Sequence, residues 1–225
     1  MGRETRRRIV EVSARLFRER GYDGTSVARV LAECGVNSGS LYHFFDSKEE
    51  LAQAVIERCI DRLPRRLLDP AEESTTDVLG RVMALLGLIR EALDSGEGGD
   101  GALVGLLAAE LGSRRPPIRA SAERYQRMLS DRVRAWFDEA GPRLPSVVDR
   151  SGLADFVATV IQGGLARATA AGGPDSFDSA IAQVRQYLRL LEDAAARERS
   201  GETSVVRDTS HGPRQPESSG EWRSW

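Results

Sequence analysis

The sequence predicts an all-α protein, and two observations carry that expectation. Apolar residues recur at three- and four-residue intervals in segment after segment, and no stretch alternates apolar and polar residues long enough to compete as a strand. The interruptions between these segments are glycines, prolines and capping residues of the kinds that start and stop helices. The 225 residues give room for one large domain or two small ones with a real core.

The first helix spans residues 3–20. Ile9, Val12, Ala14, Leu16 and Phe17 form its apolar stripe, arginines and glutamates occupy the other side, and Gly21 ends it. Thr25 is placed to cap a second helix whose core residues are Val27, Val30 and Leu31, and Gly35 stops it. A short third helix is expected from about Ser38 to Phe45. Ser47 caps a fourth, with Glu50 completing an S-x-x-E capping box, and that helix runs to about Leu63, where it meets Pro64. Residues 74–94 form an apolar-periodic helix broken by the glycine-rich SGEGGDG at 95–101. Another helix spans about 102–112, and Pro116 and Pro117 open a long one to about Ala140. After the GPRLP loop come helices near 151–171 and 176–195, separated by AGGPDS. From about Arg197 the apolar content collapses, so residues 197–225 are expected to form a disordered tail.

The net charge is −2, but it is unevenly spread. Residues 1–30 carry eight arginines against four carboxylates, a basic end that suits an anionic partner. Cys34 and Cys59 make no disulfide framework and read as small buried hydrophobes. No apolar run approaches the ~20 residues of a membrane span, and the N-terminus has no signal-peptide core. A cytoplasmic protein without a membrane partner is expected. His43 and His211 are the only histidines, which excludes a histidine triad or histidine-based metal cluster, and no glycine-rich phosphate loop follows a strand. The expectation is therefore a non-enzyme with no metal and no cofactor.

The stretch from Gly35 to Phe45, GVNSGSLYHFF, has an unusual composition for a core helix. A second helix, a glycine turn and a short third helix make a helix-turn-helix, whose third element enters the DNA major groove. Asn37, Ser38, Gly39 and Ser40 are short enough for the helix end to approach DNA closely. Leu41 and Phe45, four apart, would pack back on the first two helices. Tyr42 and His43 would face phosphates, thymine methyls or base edges, the alternative being packing against the first helix. Lys48, the chain's only lysine, sits on the first turn of a helix, where the dipole disfavours it and a phosphate would justify it.

The stretch RRRIVEVSARLFRERGYDGTSVARVLAECGVNSGSLYHFFDSKEELAQAVIE resembles the N-terminal domain of tetracycline-repressor-type (TetR family) transcriptional regulators. The resemblance covers about residues 4–57. It rests on the spacing of Phe17, Gly21, Tyr22, Thr25 and Ser26 and on the G-V-x-x-G-S-L-Y-x-F-F core followed by S-K-E-x-L. It implies a helix-turn-helix DNA-binding domain over 1–48 and a helical ligand-binding and dimerisation domain over 49–196. It also implies roles. Thr25 or Ser26 would hold a phosphate; Asn37, Ser38, Gly39 and Ser40 would enter the groove. Tyr42 and Lys48 would grip phosphates, and His43 would touch backbone or base. Ser38 departs from the lysine or arginine that many relatives carry there.

The implied function is a homodimeric repressor released from a palindromic double-stranded operator by a small-molecule effector. GALVGLLAAELG at 101–112 resembles a segment of the LmrA/YxaF-like branch, which points to an apolar or aromatic effector. Candidate lining residues are Met83, Leu86, Leu103, Leu107, Glu110, Tyr125, Met128, Trp136, Phe156 and Gln162. The dimer candidates are Leu153, Phe156, Val157, Val160, Ile161 and Gly164 on one helix and Phe177, Ile181, Val184 and Leu188 on the next. Together they would close a four-helix bundle across a two-fold axis.

Overall fold

The computed structural model describes residues 2–95, 99–171 and 173–201, and among these residues it contains helices and no strand. Helix α1 (Gly2–Arg20) buries Ile9, Val10, Leu16 and Phe17, and the Gly21 N–H closes its last turn on the Phe17 carbonyl. Helix α2 (Val27–Cys34) ends at Gly35, whose φ of 61° reverses the chain at little steric cost before α3 (Ser38–Tyr42). Helix α4 (Lys48–Leu63) starts at Ser47, whose hydroxyl accepts the Glu50 N–H. The Glu50 carboxylate accepts the Asp46 N–H at 2.7 Å, so the box closes one residue before the cap.

Two local expectations give way to side-chain or backbone demands. Thr25 does not cap α2. Its hydroxyl is buried and donates to the carbonyls of Gly21 (2.9 Å) and Leu16 (3.2 Å), and the cap passes to Ser26, which accepts the Arg29 N–H. The third helix stops at Tyr42 rather than Phe45, because its last turn tightens, with the Phe44 and Phe45 N–H groups both on the Leu41 carbonyl. Helix α4 ends at Leu63, as expected, and the chain continues in a further helical turn from Pro64. Lacking an N–H, Pro64 begins a π turn over Pro64–Leu68, closed by the Asp69 N–H on the Pro64 carbonyl. The short α5 (Asp69–Glu73) continues from it.

Helices α6 (Val78–Asp94), α7 (Asp100–Leu111), α8 (Pro116–Ala140), α9 (Arg150–Ala171) and α10 (Asp175–Ser200) complete the chain, with a 3-10 turn at Gly141–Arg143. The long α8 lies at the centre, packed on α4, α6, α7 and α9. Helix α10 packs on α9 and returns to α6, and α1 rests on α2, α4 and α7. One apolar core runs from Leu41 and Phe45 through Phe17, Leu51 and Val55 to Val133, Trp136 and Phe177. At Gly164 a side chain would overlap the Phe177 ring, so glycine there sets how closely α9 and α10 approach. Helix α10 runs beyond 195 to Ser200, where Gly201 caps it with φ 74°. The tail expected beyond that point, residues 202–225, lies outside the described residues.

Candidate functional site

The α2–α3 corner divides its side chains cleanly. Leu41 and Phe45 are fully buried, while Asn37, Ser38, Gly39, Tyr42 and His43 are exposed, Tyr42 at 54%. Five helical residues cannot bury a stripe and also present one unless both are short, which is why Ser38 and Gly39 precede Leu41. Ser40 belongs to α3, its side chain lying outside the described set. His43 leans edge-on against Phe44, 4.9 Å between ring centroids. Ser26 is exposed at the start of α2, but the Thr25 hydroxyl is turned inward and is not available to a phosphate.

Lys48 is half-buried, with its ammonium 4.0 Å above the Tyr22 ring. Burial lowers its pKa, with Asp23, Glu49 and Glu110 acting in the opposite direction. The aromatic face gives Lys48 a partner within the chain, so a phosphate is not required to explain its position. Tyr22 itself is buried beside Glu49, and burial pushes its phenol up to about 12. A residue missing from the sequence expectation joins this face. The Arg6 guanidinium lies 5.0 Å from the centroid of the Phe45 ring, which brings the arginine-rich start of α1 beside α3. The charge excess of residues 1–30 was its signal; the contact that aims it was not legible.

A cavity of about 870 Å³ opens between α1 and the C-terminal helices. Two expected lining residues, Tyr125 and Gln162, belong to it. The others do not. Leu86, Leu103 and Leu107 are solid core, and Met83 is half-buried against the same core. Trp136 is buried with its indole N–H donating to Glu72 at 2.6 Å. Met128 lines a separate depression beside Arg124 and Arg132, and Phe156 is on the outer surface. Glu110 points to the α1–α2 turn, where its Oε2 accepts the backbone N–H groups of Tyr22 (3.0 Å) and Asp23 (3.2 Å). Its carboxylate thus ties α7 to the turn between α1 and α2.

The cavity wall is more charged than expected. Asp100 lies 3.6 Å from Arg18, 3.4 Å from Arg58 and 3.3 Å from Arg62, and Glu11 pairs with Arg58 and Arg62. The hydrogen bond from Arg58 holds the Glu11 carboxyl below its ordinary pKa. Cys59 is buried behind this cluster, and burial pushes its thiol far up, leaving it unreactive. Among the described residues no cluster of His, Cys, Asp and Glu could hold a metal, and no helix is long and apolar enough to cross a membrane.

The expected dimer stripes are mostly interior. Leu153, Val157, Ile161, Gly164, Phe177, Val184 and Leu188 are buried within the chain, and Val160 and Ile181 are half-buried. Helix α9 packs on α7, α8 and α10, and α10 on α6 and α9, so those faces are covered within the chain. Phe156 alone of the set is well exposed, at 44%. It stands edge-on to Tyr187 at 5.7 Å, and Leu190 is 57% exposed one turn further on. The periodicity identified both helices correctly but selected the stripe that faces inward.

Comparison with known proteins agrees with this geometry. The family model described as "Bacterial regulatory proteins, tetR family" matches residues 9–55. The chain is 33% identical over 129 residues to the HTH-type transcriptional regulator LmrA of Bacillus subtilis (strain 168), covering 56% of this chain and 68% of LmrA. It is 32% identical over 106 residues to the HTH-type transcriptional repressor DhaR of Mycobacterium sp. (strain GP1), covering 47% of this chain and about half, 52%, of that repressor. The crystal structure of a TetR transcriptional regulator from Chloroflexus aurantiacus J-10-FL superposes with a TM-score of 0.74 at 23% identity, over 84% of this chain and 96% of that one.

Proposed function

The chain belongs to the tetR family of bacterial regulatory proteins, helix-turn-helix transcriptional regulators that bind DNA, and from that premise we propose that it is a homodimeric repressor released from a palindromic operator by a small molecule. In this reading residues 1–48 bind DNA, and residues 49–196 bind the effector and form the dimer. Asn37, Ser38, Gly39 and Ser40 enter the major groove, and Tyr42, Lys48, Ser26 and Arg6 hold phosphates around it. His43 reaches backbone or base.

The observation that carries the proposal is the division of α3. Leu41 and Phe45 fix it to the core while Tyr42 and the small residues before it remain presented. A helix used only for packing would not leave a tyrosine more than half exposed beside a run of small polar residues. The dimer reading is supported by the apolar patch of Phe156, Tyr187 and Leu190 across α9 and α10. Two such patches related by a two-fold axis would bring four helices together and set two α3 helices to face successive major grooves. Release is supported by the cavity, which has α1 as one wall, so that a ligand there touches the DNA-binding end directly.

The test is fluorescence anisotropy with duplex DNA from immediately upstream of the protein's own gene, against a scrambled duplex, at two salt concentrations. The expected result is selective binding that falls steeply with salt, because each neutralised phosphate releases counterions. Equal, weak binding to both duplexes would send the search to a remote operator and count against self-regulation.

A further inference from the structure

The cavity lining is uneven in a way that bears on its ligand. Leu88, Ile89, Tyr125, Leu129, Ile161 and Leu165 give it an apolar side. On the α1–α4 side, Arg18, Arg58 and Arg62 face two carboxylates, Glu11 and Asp100. The described lining as a whole carries five arginines against four carboxylates, a positive excess of one in a partly enclosed place. Burial lowers the Arg18 pKa, and Asp100 only partly offsets it. The hydrogen-bond inventory leans the same way. The Nε atoms of Arg18 and Arg58 and the Nε2 atom of Gln162 are buried without an acceptor among the described residues. No side-chain oxygen of the described lining is orphaned in that way. The groups of the lining left without a partner are donors.

Resting on the regulator reading above, we infer that the effector is an amphipathic oxyanion, a carboxylate or phosphate carried on an apolar body. Its charged end takes Arg18 and Arg62 from Asp100, and its body lies along Tyr125, Leu129 and Leu165. A volume of about 870 Å³ suits such a molecule. Asp100 begins α7, and the other end of α7 holds the α1–α2 turn through Glu110. Exchange of Asp100 for the ligand therefore acts at one end of a helix whose other end holds the α1–α2 turn.

The experiment is titration calorimetry of the full chain with decanoate, decyl phosphate, decanol and decylammonium, with operator anisotropy on the same preparation. At least one of the two anions is expected to bind about tenfold or more tighter than decanol and to lower operator affinity, with decylammonium the weakest. Which anion wins identifies the head group. Arg62→Gln should weaken the anion about tenfold. Asp100→Asn should tighten it, because the competing carboxylate is gone, whereas a purely structural cluster would only lose stability. If Arg62→Gln does not fold, the ratio of anion to decanol on the unchanged chain still decides. Decanol or decylammonium binding as tightly as the anions, no anion binding up to about 1 mM, or weaker anion binding by Asp100→Asn would each overturn the inference. Selective operator binding that ignores the anions would remove only the ligand class. Lack of selective DNA binding in the same preparation would count against self-regulation, and the calorimetric ratios would still decide the ligand class.

Discussion

The α3 corner and the cavity solve opposite problems. In the proposed reading the corner meets a phosphate lattice that is the same for every protein docking on DNA, and it is built from residues close in sequence at fixed spacings: Gly35 for the reversal, short side chains at 37–39, Leu41 and Phe45 to anchor. The cavity is assembled from α1, α4, α6, α7, α8 and α9, and its two most telling groups, Arg18 and Asp100, are far apart in the chain. Local pattern describes the first and is silent on the second. The difference teaches that a surface reading a regular lattice leaves a local signature, and a site built by packing does not.

The largest expected effect breaks the exposed patch that the proposed dimer uses. Phe156→Glu places a charge in the proposed interface of both subunits, and because each appears twice about the axis, sedimentation should show a monomer that no longer binds a palindrome. A stable dimer of this variant would move the interface off α9 and α10. Next is Phe45→Ala, which removes a fully buried ring shared by α3 and the core. Urea unfolding should show a loss of about 3–5 kcal/mol. A loss below 1 kcal/mol would mean that α3 is not anchored as described. Glu110→Ala tests the tie between the two regions. It strips the acceptor from the Tyr22 and Asp23 N–H groups, and a stability loss of about 1–2 kcal/mol should accompany a weaker effect of effector on operator binding. Loss of stability with coupling intact would leave Glu110 a simple brace.

Acid should give the smallest effect, and on the cavity side alone. Glu11 has its folded-state pKa below the ordinary 4.5 through its hydrogen bond from Arg58. Its contribution is therefore complete above about pH 4.5 and is lost as the pH falls through the lower folded-state value. Thermal midpoints between pH 7 and 3 for the protein and Glu11→Gln should diverge at the upper end and converge at the lower. Equal midpoints throughout would remove Glu11 from the stabilising cluster.

Helix order and most helix ends were legible, because caps and breakers act over a few residues: Ser47, Gly35, Pro116 and the stop at Gly141 all mark boundaries. The failures share one cause. Thr25 looked like a cap until tertiary packing turned its hydroxyl to two carbonyls. Glu110 looked like a ligand group until the fold brought it to the Tyr22 backbone. For α9 and α10, periodicity showed that one face is buried without showing what covers it. Trp136, Leu103 and Leu107 were assigned to the cavity and lie in solid core, because an apolar helix face looks the same against core or void. The Arg18, Arg58, Arg62 and Asp100 cluster had no local signature at all.

The most direct test of the central claim, that α3 presents a DNA-reading face separable from the core beneath it, is operator anisotropy of Tyr42→Ala beside the unchanged chain, with thermal midpoints of both. Tyr42 is more than half exposed, so its midpoint should not move. Affinity should fall by about tenfold on operator and scrambled duplexes alike, as loss of a phosphate contact requires. Unchanged binding by a folded Tyr42→Ala protein would contradict the assignment of this face to DNA.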